Sequence, residues 1–393
     1  MDTQTARSQP IPYCTAAATA VLIDGDKGVR PCDAYEGAGI HRDNTPSIDI
    51  LGERTIAEVI RSPAWQEVRR QLEAHEIPPG CAKCVERERI SGHSQRLMFQ
   101  ARRPPNWRSG LTYLELNSSN LCNLQCRHCC MLLSSRWVAH ERKQGRRFGA
   151  VVPPDAALLR RSLEGLDLTH LDSVSLKGGE PMLNGDVMVL LRHLETIGVL
   201  AKVTIWMVTN ATVVDPEILE LMSQARRCFV CVSVDGIGAV QTYIRHGASE
   251  LERVEAAIEQ YLALPQVTLD RNTSVMTYNV FTLDRIDAWW NGIAARHPGR
   301  LRPCAYSLFV LWPEHLAVQC LQDRTRRTLR DRYQALDPVL YAPVVRVLDQ
   351  PFAGVRRHDE FVRRTRELDR ELGTDVLAAV PELAEEMVLL GPQ

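Results

Sequence analysis

The sequence predicts an α/β protein: a partial (β/α)6, TIM-like barrel with a small cysteine-rich N-terminal domain ahead of it and C-terminal helices behind it. Two observations carry this. From about residue 111, short apolar runs alternate with amphipathic helical stretches, and the cysteines gather in separate groups on either side of the first run. Strand–helix alternation with helix-length connections implies a parallel sheet with right-handed crossovers. The strand candidates are 112–117, 172–177, 202–208, 228–234, 272–278 and 304–310. Helical stretches at 184–196, 215–224, 250–263 and 284–296 lie between them. About six such units make an open barrel rather than the closed eight-unit one. The expected division is 1–105, 106–320 and 321–393.

Within the N-terminal domain a short strand is expected near 18–24, and helices start at Thr55 and at Ser62-Pro63, where serine caps and proline fills the first turn. Pro78, Pro79 and Gly80 end the second helix, Gly28–Pro31 reads as a turn, and Arg102–Arg108 reads as a connector. In the tail, Leu368, Leu372, Val376, Leu377 and Val380 are expected to pack. Arg324, Arg326, Arg327 and Arg330 read as a solvated helix face.

Of the 393 residues, 47 are basic and 48 acidic, for a net charge of −1. That balance supplies no long-range pull toward nucleic acid or an anionic membrane. The apolar stretch Thr15–Ile23 is too short to span a bilayer, so a cytoplasmic protein is expected. In that compartment the 12 cysteines point to metal binding or redox chemistry rather than disulfides.

The sharpest motif is Cys122-Asn-Leu-Gln-Cys126-Arg-His-Cys129, on the loop after the first barrel strand. Three soft thiolates at this spacing suit a 4Fe-4S cubane, and a three-ligand set leaves one iron open for chemistry. Cys130 reads as an accessory thiol, since adjacent cysteines seldom reach two corners of one cubane. Gly178-Gly179-Glu180 follows the second strand: paired glycines let backbone approach a ligand, and Glu180 offers an acceptor for an ammonium. Thr209-Asn210 ends the third strand, and Ser233-Val-Asp235-Gly236 ends the fourth.

Together these segments resemble the radical S-adenosylmethionine superfamily. The resemblance implies that Cys122, Cys126 and Cys129 hold a 4Fe-4S cluster whose open iron is chelated by S-adenosylmethionine. One electron then cleaves the sulfonium, giving a 5′-deoxyadenosyl radical that abstracts hydrogen from substrate. It also implies that Gly178, Gly179 and Glu180 meet the methionine amino group. Ser233 and Asp235 would meet the ribose, and Asn210 would lie on a cofactor-facing loop.

Cys14, Cys32, Cys81 and Cys84 form the second set, with Cys81 and Cys84 spaced as a metal clip. Four thiols make a closed site that either an iron–sulfur cluster or zinc fits. With Glu88, Gly92, Ser94 and Arg96, this region resembles the auxiliary-cluster modules called SPASM or twitch, and so implies a second 4Fe-4S cluster. It departs from the better-known versions in preceding the barrel and in having cysteines for one cluster only.

Tyr243-Ile-Arg245, Tyr278-Asn279 and Leu311–Leu316 extend the resemblance more loosely; Arg245 reads first as a solvated or structural arginine and second as a candidate partner for a carboxylate. Cys228 and Cys231, three apart on one strand, fall on opposite faces and read as core thiols. Cys304 and Cys320 read as buried thiols or as hydrogen-atom donors; His128 and His170 read as structural. The function expected from the resemblance is oxidative modification, crosslinking or epimerisation of a peptide or peptide-derived substrate. A reductant such as flavodoxin or ferredoxin would supply the electron. A dehydrogenase or epimerase of a sugar or aminoglycoside is the alternative, and a non-enzymatic iron–sulfur or zinc protein is an alternative of another class.

The cluster assignment is checked by anaerobic reconstitution. The cubane absorption should fall in Cys126→Ala to what the second cysteine set contributes, and stay whole in Cys228→Ala.

Overall fold

The structure, a computed structural model, describes residues 13–24, 28–36, 49–50, 52, 54–91, 94–101, 109–146, 149–303 and 306–391. The expected connector Arg102–Arg108, Gly92 and Cys304 lie outside these residues. The strands are β1 (Ala20–Ile23), β2 (Gly28–Arg30), β3 (Asp49–Ile50), β4 (Tyr113–Leu116), β5 (Gln125–Cys126), β6 (Ser173–Leu176), β7 (Thr204–Thr209), β8 (Arg227–Ser233), β9 (Arg245–His246), β10 (Val267–Asn272), β11 (Ser274–Val275) and β12 (Leu308–Phe309). The chain gathers into two compact units: Met1–Leu121 with Val151–Met207 and Pro216–Cys228, and Cys122–Ala150 with Val208–Asp215 and Phe229–Gln393.

In the first unit the strand order is β7-β6-β4-β1-β2-β3. β1, β4, β6 and β7 run parallel, and β2 and β3 return antiparallel. The expected strand near 18–24 therefore extends the same sheet as the first barrel strand, pairing Leu22 with Glu115 and Ile23 with Leu116. All four of its residues, Ala-Val-Leu-Ile, are buried, as a parallel strand covered on both faces requires. The period of two sorts the other strands. Register puts Leu114, Val174 and Ile205 side by side on one face, and Glu115, Ser175 and Trp206 side by side on the other. Gly28–Arg30, read as a turn, is strand β2, so Cys32 follows a hydrogen-bonded edge instead.

The helices start where the chain signals them. Thr55 and Glu58 form a capping box, and Ser62 caps the helix Pro63–Glu73 with proline in its first turn. That helix buries Trp65, Val68 and Leu72, and Trp65 Nε1 donates to the Ala17 carbonyl at 2.9 Å.

In the second unit β10 neighbours β8. The strand expected at 272–278 lies earlier, because Val267, Leu269 and Arg271 are the buried positions of an alternating strand. Asp270 and Arg271 disguised it, and Arg271 is inside because Asp287 pairs with it at 2.8 Å. Among the described residues of 304–310, Leu308–Phe309 forms a strand, and it pairs with β11. The helix Asp323–Leu336 corrects the solvated reading of Arg326: its guanidinium is buried and donates to the carbonyls of Leu321 and Leu348 at 3.1 and 3.0 Å. The helix Val355–Leu372 buries His358, Phe361, Val362 and Thr365, whereas Leu368 and Leu372 are half-buried. Val376 and Val380 are buried as expected and Leu377 is exposed. No described helix is long and apolar enough to cross a membrane.

Trp65→Ala removes a fully buried ring and its hydrogen bond. Urea unfolding should show a loss of about 3–5 kcal/mol.

Candidate active site and metal centres

The second unit holds the three-cysteine loop. It leaves Leu124 buried and is tied down at several points. The Ser135 hydroxyl accepts from Cys122 N at 3.2 Å, Ser134 donates to the Leu124 carbonyl at 2.6 Å, and Trp137 Nε1 donates to the Cys126 carbonyl at 2.9 Å. Asn210, at the end of β7, aims its amide at this loop: Nδ2 lies 2.9 Å from Asn123 Oδ1 and 3.9 Å from Cys122 Sγ. Its own carbonyl oxygen accepts from Thr212 N and Thr212 Oγ1, which fixes the amide's direction.

β5 and β9 pair with Cys126 directly opposite Arg245. Arg245 Nη1 lies 3.9 Å from Cys126 Sγ, and its Nε lies 2.8 Å from Asp235 Oδ2. Asp235, expected at a ribose, is 0% exposed. Its carboxylate also accepts from Ser274 N at 2.7 Å and lies 3.7 Å from His128 Nε2. Ser233 closes β8 two residues earlier and is buried. Burial pushes the Cys126 thiol up to about 12 while Arg245 pulls it down. Burial, then the neighbouring Cys126 and Cys130, push Cys129 well above the ordinary thiol range. Burial lowers His128 to about 4 against the pull of Asp235. Burial works against the charge of Arg245, yet Asp235 and the three thiols favour it, and the balance holds it raised.

Three free thiols, each close enough to influence the others, with an amide and a guanidinium directed at two of the sulfurs, fit an iron–sulfur cluster. Among the described residues no three His, Cys, Asp or Glu side chains already converge as a coordination sphere, so assembly would draw the thiols together.

The first unit holds the glycine motif at the end of β6. Gly178 has φ +121°, and a Cβ there would meet the Ser119 carbonyl oxygen at 2.8 Å. A Cβ on Gly179 would stand 2.2 Å from the Leu121 carbonyl oxygen, on the residue that precedes Cys122. Gly179 N and Glu180 N donate to the carbonyls of Ser119 and Leu121 at 2.9 and 2.8 Å. Glu180 is buried and caps the turn Pro181–Leu183 through Met182 N.

The same unit gathers Cys14, Cys32, Cys81 and Cys84 on one enclosed cavity, with Tyr13, Tyr35, Val68 and Leu72 around them. Cys81 ends a short 3-10 turn and Cys84 sits in the helix Ala82–Ser91 that continues it. Burial lifts Cys14 to about 11 and Cys81 to about 12, and raises Cys32 well above the usual range. Four soft donors in an apolar pocket fit either a closed cluster or zinc. Glu88 pairs with Arg96, whose guanidinium lies 4.5 Å over the Tyr13 ring.

Some residues here escape a reading by motif. On the polar face of the first unit's sheet, Tyr113 donates to Glu115 at 2.7 Å, and Lys177 lies 3.0 Å from Glu115 and 3.7 Å from Asp33. Burial lifts the Glu115 carboxyl although Lys177 opposes the shift. In the second unit Arg127 donates to the Tyr243 carbonyl at 2.9 Å and to Asp369 at 2.7 Å, with its guanidinium 3.6 Å over the Tyr243 ring. Cys129, Met131, Trp137, Trp312, Arg357 and Arg364 are among the residues lining a cavity of about 540 Å³ in that unit. Cys320 is buried, and His170 is exposed. Cys228 is buried and Cys231 half-buried, as opposite faces of β8 require.

A thiol loop and a glycine motif, each following a parallel strand, mark an α/β protein with thiols that fit an iron–sulfur cofactor. Residues 116–276 match the family model of the Radical SAM superfamily, so the chain carries a radical S-adenosylmethionine domain, an enzyme domain that works with an iron–sulfur cluster. Among curated proteins, the GTP 3′,8-cyclase of Synechococcus elongatus is 25% identical over 154 residues, 39% of this chain and 42% of that protein. The chain thus spans less than half the length of that relative. Among solved structures, anSMEcpe with bound AdoMet is 16% identical, with a TM-score of 0.37 over 66% of this chain and 61% of that one. Streptococcus suis SuiB bound to precursor peptide SuiA is 15% identical, with a TM-score of 0.32 over 57% and 49%.

Gly179→Ala should weaken S-adenosylmethionine binding by roughly tenfold or more in equilibrium dialysis, because the backbone at Asn120 and Leu121 must move. Gly292→Ala, where nothing lies within 4 Å, should leave it unchanged.

Proposed function

We propose that this chain reductively cleaves S-adenosylmethionine and uses the product to oxidise, crosslink or epimerise a peptide or peptide-derived substrate. The observation that carries the reading is the Cys122, Cys126 and Cys129 loop, with Asn210 and Arg245 directed at its sulfurs. Those cysteines would hold a 4Fe-4S cluster with one open iron. When bound, the reduced cluster supplies the electron that breaks the sulfonium bond and so generates the hydrogen-abstracting radical.

The chain's own residues do the rest. Gly178 and Gly179 let the backbone after β6 pack against Ser119–Leu121 and so set the place of the motif, and Glu180 supplies a buried carboxylate for the ammonium of the cofactor's methionine end. Ser233 stands at the end of β8 as the candidate ribose contact; Asp235 contributes through Arg245. The 540 Å³ cavity beside Cys129, with two tryptophans and paired Arg and Glu side chains, supports a peptide occupant: it offers both apolar and charged contacts. Cys14, Cys32, Cys81 and Cys84 would hold a second, closed 4Fe-4S cluster that passes electrons. On this reading residues 1–105 form the auxiliary module, 106–320 the barrel and 321–393 a helical extension. A flavodoxin or ferredoxin in the cytoplasm would supply the reducing electron.

Reconstituted anaerobically with S-adenosylmethionine and dithionite, the protein should release 5′-deoxyadenosine faster with peptide mixtures than with sugars. Stimulation by sugars alone would favour the small-molecule alternative, and no cofactor cleavage would leave a non-enzymatic metal protein. Iron should fall from about eight to about four per chain in the Cys14→Ala/Cys84→Ala double variant, with matching sulfide. Wild-type protein with about four irons and about one zinc per chain would overturn the second cluster.

A further inference from the structure

Resting on that reading, we propose that Arg245 is a positioning residue for the cluster: a buried guanidinium, aimed at the Cys126 sulfur by Asp235, that raises the cluster's reduction potential.

Three independent observations converge on this side chain. The first is register. β5 and β9 form a two-residue ladder in which Cys126 and Arg245 are partners, and Gln125 pairs with His246. Arg127 N continues the ladder by donating to the Ile244 carbonyl at 2.8 Å. A slip of one residue would turn Arg245 to the other face and bring His246 opposite the ligand. The Ser249 hydroxyl donates to the Arg245 carbonyl at 2.6 Å and holds this backbone from the other side.

The second is aim. A guanidinium is planar and rigid, so an ion pair at one of its nitrogens restricts where the others lie. Asp235 Oδ2 sits 2.8 Å from Nε, and Nη1 then lies 3.9 Å from Cys126 Sγ. Asp235 is itself fixed: its Oδ1 accepts from Ser274 N, and its backbone N and that of Gly236 donate to Gln241 Oε1 at 2.9 and 3.1 Å. The carboxylate that a ribose was expected to occupy is therefore spent on orienting the arginine.

The third is burial. The Arg245 side chain is 8% exposed and that of Asp235 0%. Water does little to screen a charge held there, so its field reaches the adjacent sulfur. Reduction adds one electron and one negative charge to the cluster. A fixed positive charge beside a sulfur ligand stabilises the reduced state more than the oxidised one, which raises the potential. Arginine keeps its charge throughout, so no proton moves.

The test is an EPR-monitored redox titration of the full chain, reconstituted anaerobically and without S-adenosylmethionine. The signal followed is the one that Cys126→Ala abolishes. Arg245→Met keeps the length of the side chain and removes its charge. At a fixed potential its reduced-to-oxidised ratio should fall about tenfold, a drop of about 59 mV for a one-electron couple. Arg245→Lys should recover most of that drop. An equal or higher midpoint in Arg245→Met at equal iron content overturns the proposal. If Arg245→Met takes up no cluster, Arg245→Lys decides: a loaded cluster supports a need for charge at this place, and an empty one shows a purely structural side chain. Wild-type protein without any signal that Cys126→Ala removes would instead overturn the enzyme reading itself.

Discussion

The two-stranded ladder of β5 and β9 is the constraint on which the second unit's site depends. A loop with three thiols close together has every reason to move, since thiolates repel one another and an unpaired loop backbone is costly to order. Here the loop is held before any cofactor arrives. Cys126 is a rung of the ladder, its carbonyl accepts from Trp137, and the neighbouring Arg127 fastens to Tyr243 and Asp369. The ordering entropy is thus met by folding and need not be met again when the cluster assembles.

The two cysteine sets are buried alike but charged differently. Cys126 faces a guanidinium and Cys122 an amide, so sulfur in the second unit meets donors suited to negative charge. In the first unit the four thiols line a cavity among Tyr35, Val68 and Leu72, where burial is the largest influence on Cys14, Cys32 and Cys81. A polar surround suits a site that exchanges ligand and electron, and an apolar one suits a closed site that keeps its contents. In both, deprotonation must be driven by binding, because burial favours the neutral thiol.

Glycine at position 179 shows how tightly backbone can set a site. Its hydrogen lies where any side chain would strike the Leu121 carbonyl, one residue before the first thiol. The end of β6 and the segment Ser119–Leu121 are packed backbone to backbone, with Gly179 N and Glu180 N completing the contact. Close packing of this kind leaves Glu180 buried beside the motif rather than free in a loop.

Much of this was legible from local pattern. The spacing of Cys122, Cys126 and Cys129, the paired glycines, the serine and threonine caps, and the alternation that made β4, β6, β7 and β8 are all short-range signals, since period and capping depend only on neighbours in sequence. β10 was misplaced because its buried positions include Arg271, whose partner Asp287 lies 16 residues on and cannot be seen from composition. Arg326 read as solvated because its partners include backbone carbonyls, that of Leu321 just before its helix and that of Leu348 a helix further on, which composition does not reveal. The sequence by itself determined which thiols and glycines are present and at what spacing. Only the tertiary structure decided that Arg245, 119 residues from Cys126, faces its sulfur and that Asp235 serves the arginine. Register between strands far apart in the chain is a property of the folded backbone, and no local pattern records it.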